Sequence, residues 1–332
     1  MRAVVITKHG GPGVLEVQER PDPAIGPGEV RIDVAAAGIN FADVMARMGL
    51  YPDAPKTPCV VGYEVAGTVL ELGEGVEGLS HGQRVVAVTK FGGYASQVVV
   101  PQDDVFALPD ELSFEQGAAI PVNYGTAWAA LIGYGSLQPG ERVLVHSAGG
   151  GVGIAATQIA KRVGAEVYGT ASPGKHARCE ELGVDHAIDY RQSGWERDLP
   201  KFDVILDAVG GKSFRTDYAM LRAGGRLVAF GASALVSGQR RNLVTAMRTV
   251  IRMPRFNMIK QMSESKAVIG LNMYSLWKDR GTLQPWLAPL REMLDDGTVK
   301  PVVAGDFAFE DAGAAQTMIT ERRNVGKVVL VP

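Results

Sequence analysis

The chain has 332 residues, 46% hydrophobic and 21% charged, an ordinary globular composition whose length predicts about two domains. A net charge of −2 excludes a global attraction to nucleic acid or anionic lipid, so any such contact needs a local patch, and nucleic acid is not expected as a partner. Cys59 and Cys179 form no C-x-x-C pair, and no stretch approaches the roughly 18 apolar residues of a membrane span or forms a signal-peptide core, which predicts a soluble cytoplasmic protein with reduced thiols.

Up to Tyr124 the chain reads as short strands, at 3–6, 15–17, 30–34, 65–69 and 84–88, punctuated by clusters such as Gly10-Gly11-Pro12-Gly13 and Gly26-Pro27-Gly28. This predicts a β-rich barrel or sandwich over 1–124. From Gly125 the rhythm changes to apolar runs at 142–146, 166–170, 186–188, 202–206 and 225–230, alternating with helical stretches, the pattern of βαβ units. A doubly wound α/β nucleotide-binding sheet is therefore expected over 125–265. The remaining 266–332 carries a helix near Trp286 to Leu294 and a final strand ending in Lys327-Val328-Val329-Leu330-Val331. It is too small for a third domain and is expected to complete one of the others.

Between the strand ending at His146 and a helix starting near Val152 stands Ala148-Gly149-Gly150-Gly151-Val152-Gly153, an A-x-G-x-x-G variant of the dinucleotide fingerprint. Such a turn needs residues without side chains where the backbone approaches a pyrophosphate, whose charge rests on the helix N-terminus. A site for NAD places a carboxylate about 20 residues further on, to bond the ribose 2′-hydroxyl. Here Gly169-Thr170-Ala171-Ser172-Pro173-Gly174-Lys175 offers none, while Ser172 and Lys175 suit a 2′-phosphate, so the expected cofactor is NADPH. Tyr190, after the third strand, is expected against the adenine ribose or its phosphate, and Phe230 and Gly231 at the end of a strand are expected to close the cleft.

The stretches Ala37 to Asp43, Gly62-Tyr63-Glu64-Val65-Ala66-Gly67, Asn123-Tyr124-Gly125-Thr126-Ala127, the glycine turn followed by Gln158, and Asn324 to Leu330 together resemble the medium-chain dehydrogenase/reductase superfamily, in its quinone oxidoreductase (zeta-crystallin-like) branch. Asn40 to Tyr51 and Gly238 to Leu243 look closest to the vesicle amine transport protein subfamily. The resemblance implies a GroES-like substrate domain completed by the C-terminal return, a Rossmann cofactor domain, and a homodimer formed through an edge strand. It also implies that Asn40 and Tyr51 meet the acceptor, that Asn40, Thr126 and Thr170 border the cofactor, and that Lys327 is a second phosphate or ribose contact. Departures are equally informative. Asn40 stands near the first zinc-ligand Cys of the alcohol dehydrogenases, Gly62-Tyr63-Glu64 replaces Gly-His-Glu, and 121–126 holds neither Cys nor His, so no metal is expected.

Without a Lewis acid, a simple ketone would develop a poorly stabilised alkoxide, whereas a quinone or α,β-unsaturated ketone delocalises the incoming charge. The expected acceptor is thus a quinone or enone, with enoyl thioesters as the alternative. Asp43, at a helix start, reads as a structural carboxylate, and Tyr63 as packing.

From Tyr218 to Ser263 there is no acidic residue but eight cations: Arg222, Arg226, Arg240, Arg241, Arg248, Arg252, Arg255 and Lys260. Arg248, Arg252 and Arg255 lie opposite Leu243, Val244, Met247, Val250 and Ile251 at helical spacing, which predicts an amphipathic helix before Pro254. Either it packs on the cofactor domain, or the basic 239–260 segment makes a peripheral membrane contact, the alternative function being an NADPH-binding protein with a membrane-surface or lipid-handling role.

Overall fold

The computed structural model describes residues 1–236, 238–239 and 242–332; Arg240 and Arg241 of the basic segment lie outside them. Strand Glu29–Ile39 buries alternate residues along its first half, as a strand with one face on a core must. It is the centre of a seven-stranded sheet that runs Val303–Ala308, Lys327–Val331, Glu29–Ile39, Glu64–Leu72, Arg84–Val88 and Val105–Ala107, with Gln97–Pro101 also paired to Glu29–Ile39. A hairpin, Arg2–Ile6 with Leu15–Glu19, packs beside it. Val4, Ile6, Ile32, Val65, Val85, Val98, Phe309 and Leu330 share the core of this lobe. The β-rich reading thus holds. Sequence reading missed Val105–Ala107, which at three residues is too short to show alternation.

The second sheet has six parallel strands in the spatial order His186–Asp189, Glu166–Ala171, Arg142–Val145, Phe202–Asp207, Leu221–Ala229, Ala267–Gly270. Numbered along the chain, that is 3-2-1-4-5-6, the order of the dinucleotide-binding doubly wound fold. The reversal beside the first strand opens a crevice at the strand ends, and the glycine turn sits there. Helix Gly151–Val163 follows it directly, burying Ile154, Ala155, Ala156, Ile159 and Ala160 along one stripe and ending at Gly164, whose φ of 87° favours glycine.

The chain after 266 divides differently from expectation. Ala267–Gly270 closes the parallel sheet beside Leu221–Ala229, and Trp277, Trp286, Leu287, Leu290 and Met293 join the core beneath that sheet. Only from Val303 does the chain pair with the first lobe. The four-residue edge strand carries no alternation of its own, so its partner, and not its sequence, assigns it. The helix expected at 286–294 is two, Gln284–Leu287 and Pro289–Asp295, because Pro289 opens a new first turn.

The amphipathic helix forms as Leu243–Ile251. Its apolar face is left open among the described residues: Leu243, Val244, Met247, Val250 and Ile251, with Met258, Ile259 and Met262 of helix Met258–Glu264, are all more than half exposed. Among the described residues, no helix is long and apolar enough to cross a membrane.

Candidate active site

A cavity of about 1170 Å³ lies between the two sheets. One end is the glycine turn. Ser147 takes a left-handed φ of 58°, Gly150 stands at the helix N-cap without a capping side chain and bridges Gly326 of the C-terminal return, and among the described residues the first-turn N–H groups of Val152 and Gly153 are left without a partner. The turn tolerates no Cβ at Gly153, where one would lie 2.4 Å from the Ser147 carbonyl oxygen. Ala148 alone of the motif does not line the cavity. It is buried, and its methyl packs against Gly169 of the neighbouring strand, so this position closes the turn onto the sheet and is not a contact for a ligand.

Gly149 to Gly153, Thr170, Ser172, Lys175, Tyr190, Phe230 and Gly231 all line this end, and Thr126 borders it from helix Pro121–Trp128. The Lys175 ammonium donates to the Asn324 carbonyl at 2.6 Å, and burial holds its pKa below the usual lysine value. Sequence reading missed two residues here, Arg322 and Asn324, both brought in by the C-terminal return. Arg322 has a left-handed φ of 56° and reaches the Tyr190 hydroxyl at 3.4 Å. Burial would push the Tyr190 phenol up, but Arg322 and Arg191 outweigh it and hold its pKa below the ordinary value. Asn324 opens the Asn324-Val325-Gly326-Lys327 motif, and Arg322 lies two residues before it. Among the described residues no carboxylate lines the cavity at this end, and Ser172, Lys175 and Arg322 supply the donor set that a phosphomonoester needs. The residues present therefore fit a dinucleotide carrying a 2′-phosphate.

Beneath the turn, His146 Nε2 pairs with Asp217 at 2.9 Å and its Nδ1 faces Thr170 Oγ1 at 3.2 Å. Asp207, nearby, accepts from the Val209 and Gly210 N–H groups and from the Ser213 hydroxyl. These three side chains are buried, and burial raises the Asp217 carboxyl to about 7.

The other end is apolar and aromatic. Phe41, Met45, Leu271, Trp277 and Leu287 line it, and Tyr51, Tyr63, Phe91 and Tyr274 form a chain of ring contacts 5.1–6.4 Å between centroids that crosses from one lobe to the other. Burial, with the Asp53 charge, pushes the Tyr51 phenol up to about 12, so it keeps its proton at neutral pH. Tyr63 sits in the aromatic chain with its hydroxyl buried and without a partner.

Asn40 precedes helix Phe41–Arg47, but its side chain does not cap it. Asp43 does that work, accepting the Asn40 N–H at 2.7 Å, together with the Tyr94 hydroxyl at 2.9 Å and the Gly62 N–H at 3.1 Å, which makes it a structural carboxylate. The Asn40 amide turns instead to a buried pair, Glu64 and Lys327, which are 0% and 3% exposed. Its Nδ2 donates to Glu64 Oε1 at 3.1 Å and its Oδ1 accepts from Lys327 Nζ at 2.7 Å; Lys327 also donates to Glu64 Oε1, whose partner oxygen accepts the Val122 N–H at 2.8 Å. Lys327 was expected to reach a phosphate or ribose. Its ammonium turns to Asn40 Oδ1 and Glu64 Oε1, because a buried cation takes the nearest buried carboxylate, while Lys327 still borders the cavity. Glu64 is the member sequence reading passed over, although its motif was in view.

Two family profiles match the chain: residues 26–110 match the alcohol dehydrogenase GroES-like domain, and residues 182–330 match the zinc-binding dehydrogenase family. The second match does not include positions 40 and 63. The human synaptic vesicle membrane protein VAT-1 homolog is 37% identical over 340 residues, spanning 100% of this chain and 86% of that protein. Among solved structures, human synaptic vesicle membrane protein VAT-1 homolog-like protein aligns with a TM-score of 0.86 at 32% identity, over 100% of this chain and 98% of that one. Escherichia coli quinone oxidoreductase complexed with NADPH aligns with a TM-score of 0.85 at 29% identity, over 100% of both.

Proposed function

The chain belongs to the medium-chain dehydrogenase/reductase superfamily, an oxidoreductase family, in its zinc-free quinone oxidoreductase and VAT-1 branch, and from that premise we propose that it uses NADPH to reduce a quinone or an α,β-unsaturated carbonyl compound. The observation that carries this reading is one cavity joining an anion-ready glycine turn to an apolar, aromatic-lined end. When bound, NADPH supplies the hydride. The Val152 and Gly153 N–H groups hold its pyrophosphate, and Ser172, Lys175, Tyr190 and Arg322 take the 2′-phosphate. Thr126, Thr170, Phe230 and Gly231 wall the remainder. At the far end, Asn40 and Tyr51 offer N–H and O–H donors to the acceptor oxygen. Asn40 and Tyr63 are poor ligands for zinc, so charge on the acceptor is met by hydrogen bonds alone, which selects acceptors able to delocalise it. Consumption of NADPH and of NADH, measured over quinones, enones and enoyl thioesters, tests the proposal. Turnover of quinones or enones with NADPH preferred is expected. Preference for enoyl thioesters would replace the acceptor class, and preference for NADH would overturn the cofactor assignment.

A second reading concerns the apolar face of Leu243–Ile251 and Met258–Glu264, interleaved with Arg248, Arg252, Arg255 and Lys260. We propose that it meets an anionic membrane surface, since a basic amphipathic helix gains both apolar burial and charge attraction there. Flotation with phosphatidylserine vesicles, lost at high salt and absent with neutral lipid, is the expected result. A homodimer by light scattering that fails to float would give the face to self-association beside the open edge strand Ala267–Gly270.

A further inference from the structure

The position of Lys327 is the least expected feature of the cavity. An ammonium has donors only and a carboxylate acceptors only, so a primary amide placed between them has one permitted orientation: oxygen toward Lys327, nitrogen toward Glu64. Asn40 adopts that orientation, at 2.7 and 3.1 Å. The carboxylate is itself fixed, because Val122 N–H holds its second oxygen. The slot for the pair is cut by Gly38, where a Cβ would lie 2.4 Å from the Ala118 carbonyl oxygen and 2.7 Å from both Glu64 Oε1 and Lys327 Cε. Asn40 Nδ2 carries two hydrogens and one is spent on Glu64; among the described residues the other has no partner, and Asn40 stands half-buried on the cavity wall.

We infer that Lys327 and Glu64 are positioning residues that lock and polarise the Asn40 amide, so that its remaining N–H is presented to the acceptor oxygen. This rests on the oxidoreductase reading above, in which Asn40 meets the acceptor. Contact with the Lys327 cation withdraws electron density through Oδ1 and makes the free N–H a stronger donor in a low-dielectric setting, while Glu64, which accepts the other N–H and opposes that withdrawal, fixes the orientation of the amide. Lys327 thereby does part of what a Lewis acid would do at this position, through a neutral amide. Lys327 is assigned no contact with the cofactor phosphates.

The test uses Lys327→Met, Lys327→Arg and the double variant Lys327→Met/Glu64→Gln, which leaves no buried charge unpaired. Three quantities are measured for each: NADPH Kd by fluorescence, kcat and KM with 1,4-naphthoquinone, and the ¹⁵N side-chain amide resonance of Asn40, identified by its loss in Asn40→Ala. Lys327→Met should lower kcat about 10- to 100-fold with NADPH Kd within about twofold. Lys327→Arg should restore part of the loss, and the double variant should recover thermal stability but not kcat. In the native protein the two Asn40 amide protons should be well separated in shift and slow to exchange; in both Met variants they should converge. An NADPH Kd weakened tenfold with kcat intact would return Lys327 to the phosphate role and overturn the inference, as would unchanged kcat in a folded double variant. If the native protein reduces no acceptor, the oxidoreductase reading fails, and the amide resonance still decides whether the lock exists.

Discussion

The two ends of the cavity differ in how their polar groups are partnered. At the glycine turn, backbone N–H groups and the side chains of Lys175 and Arg322 keep donors in reserve. At the aromatic end, Asn40, Glu64 and Lys327 are bound to one another, which among the described residues leaves one Asn40 amide N–H without a partner beside the Tyr51 hydroxyl. The difference teaches a division of labour: one end is built to take charge, the other to orient an uncharged group. Binding energy should come from the first and rate from the second.

The largest effect should come from closing the turn. Gly153→Val puts side-chain atoms where a Cβ alone would lie 2.4 Å from a backbone oxygen, so the strand-to-helix junction must shift. Overpacking of about 3 kcal/mol corresponds to roughly 100-fold weaker NADPH binding, read by fluorescence titration, with a lower melting temperature. Retained affinity would mean that the turn is an ordinary hinge. At the other end, Asn40→Ala should lower kcat on the order of 100-fold while leaving NADPH Kd within about twofold. If it alters KM alone, the aromatic end positions the acceptor without stabilising its charge, and the contrast between the ends weakens.

Within the charge-taking end, Lys175→Ala and Arg322→Ala should each cost about 10- to 100-fold in NADPH affinity and leave NADH affinity nearly unchanged, since each removes one charge-assisted contact of roughly 1.5–3 kcal/mol. Equal losses for both cofactors in competition titrations would move these cations to the pyrophosphate.

The same contrast explains what could be read from the chain beforehand. The turn is contiguous, so its glycines, the strand before it and the helix after it share one short window, and five of the six parallel strands show as apolar runs. The aromatic end is assembled from positions 40, 64 and 327, whose meeting depends on Lys327–Val331 pairing antiparallel to Glu29–Ile39. No local pattern states that register. Asn40 and Lys327 could be named by resemblance, but the partner of each could not, and nothing local shows that the Lys327 ammonium meets Asn40 and Glu64. Arg322 was missed for the same reason, and Ala267–Gly270 because an edge strand of four residues is defined by its neighbour.

The smallest effect concerns the buried His146 and Asp217 beneath the turn. Burial raises the Asp217 carboxyl from 3.8 to about 7; burial would lower His146, but the facing Asp217, with Asp207 beyond it, outweighs that and raises it above 6.5. In both cases the folded protein holds a proton more tightly than the unfolded chain. Their contribution to stability is therefore present at low pH, begins to fall for Asp217 above about 4 and for His146 above about 6.5, and is lost as pH rises through the folded values. Between pH 6 and 8 the native protein should lose stability on the order of 1 kcal/mol, about 2 °C in melting temperature. Asp217→Asn leaves His146 buried without an anion on Nε2, so burial then disfavours its protonation, and the loss of stability with rising pH should disappear or reverse. Calorimetry at matched ionic strength measures both slopes. Equal slopes would show that the pair does not titrate near neutrality, and that the reserve of the turn depends on its backbone geometry alone.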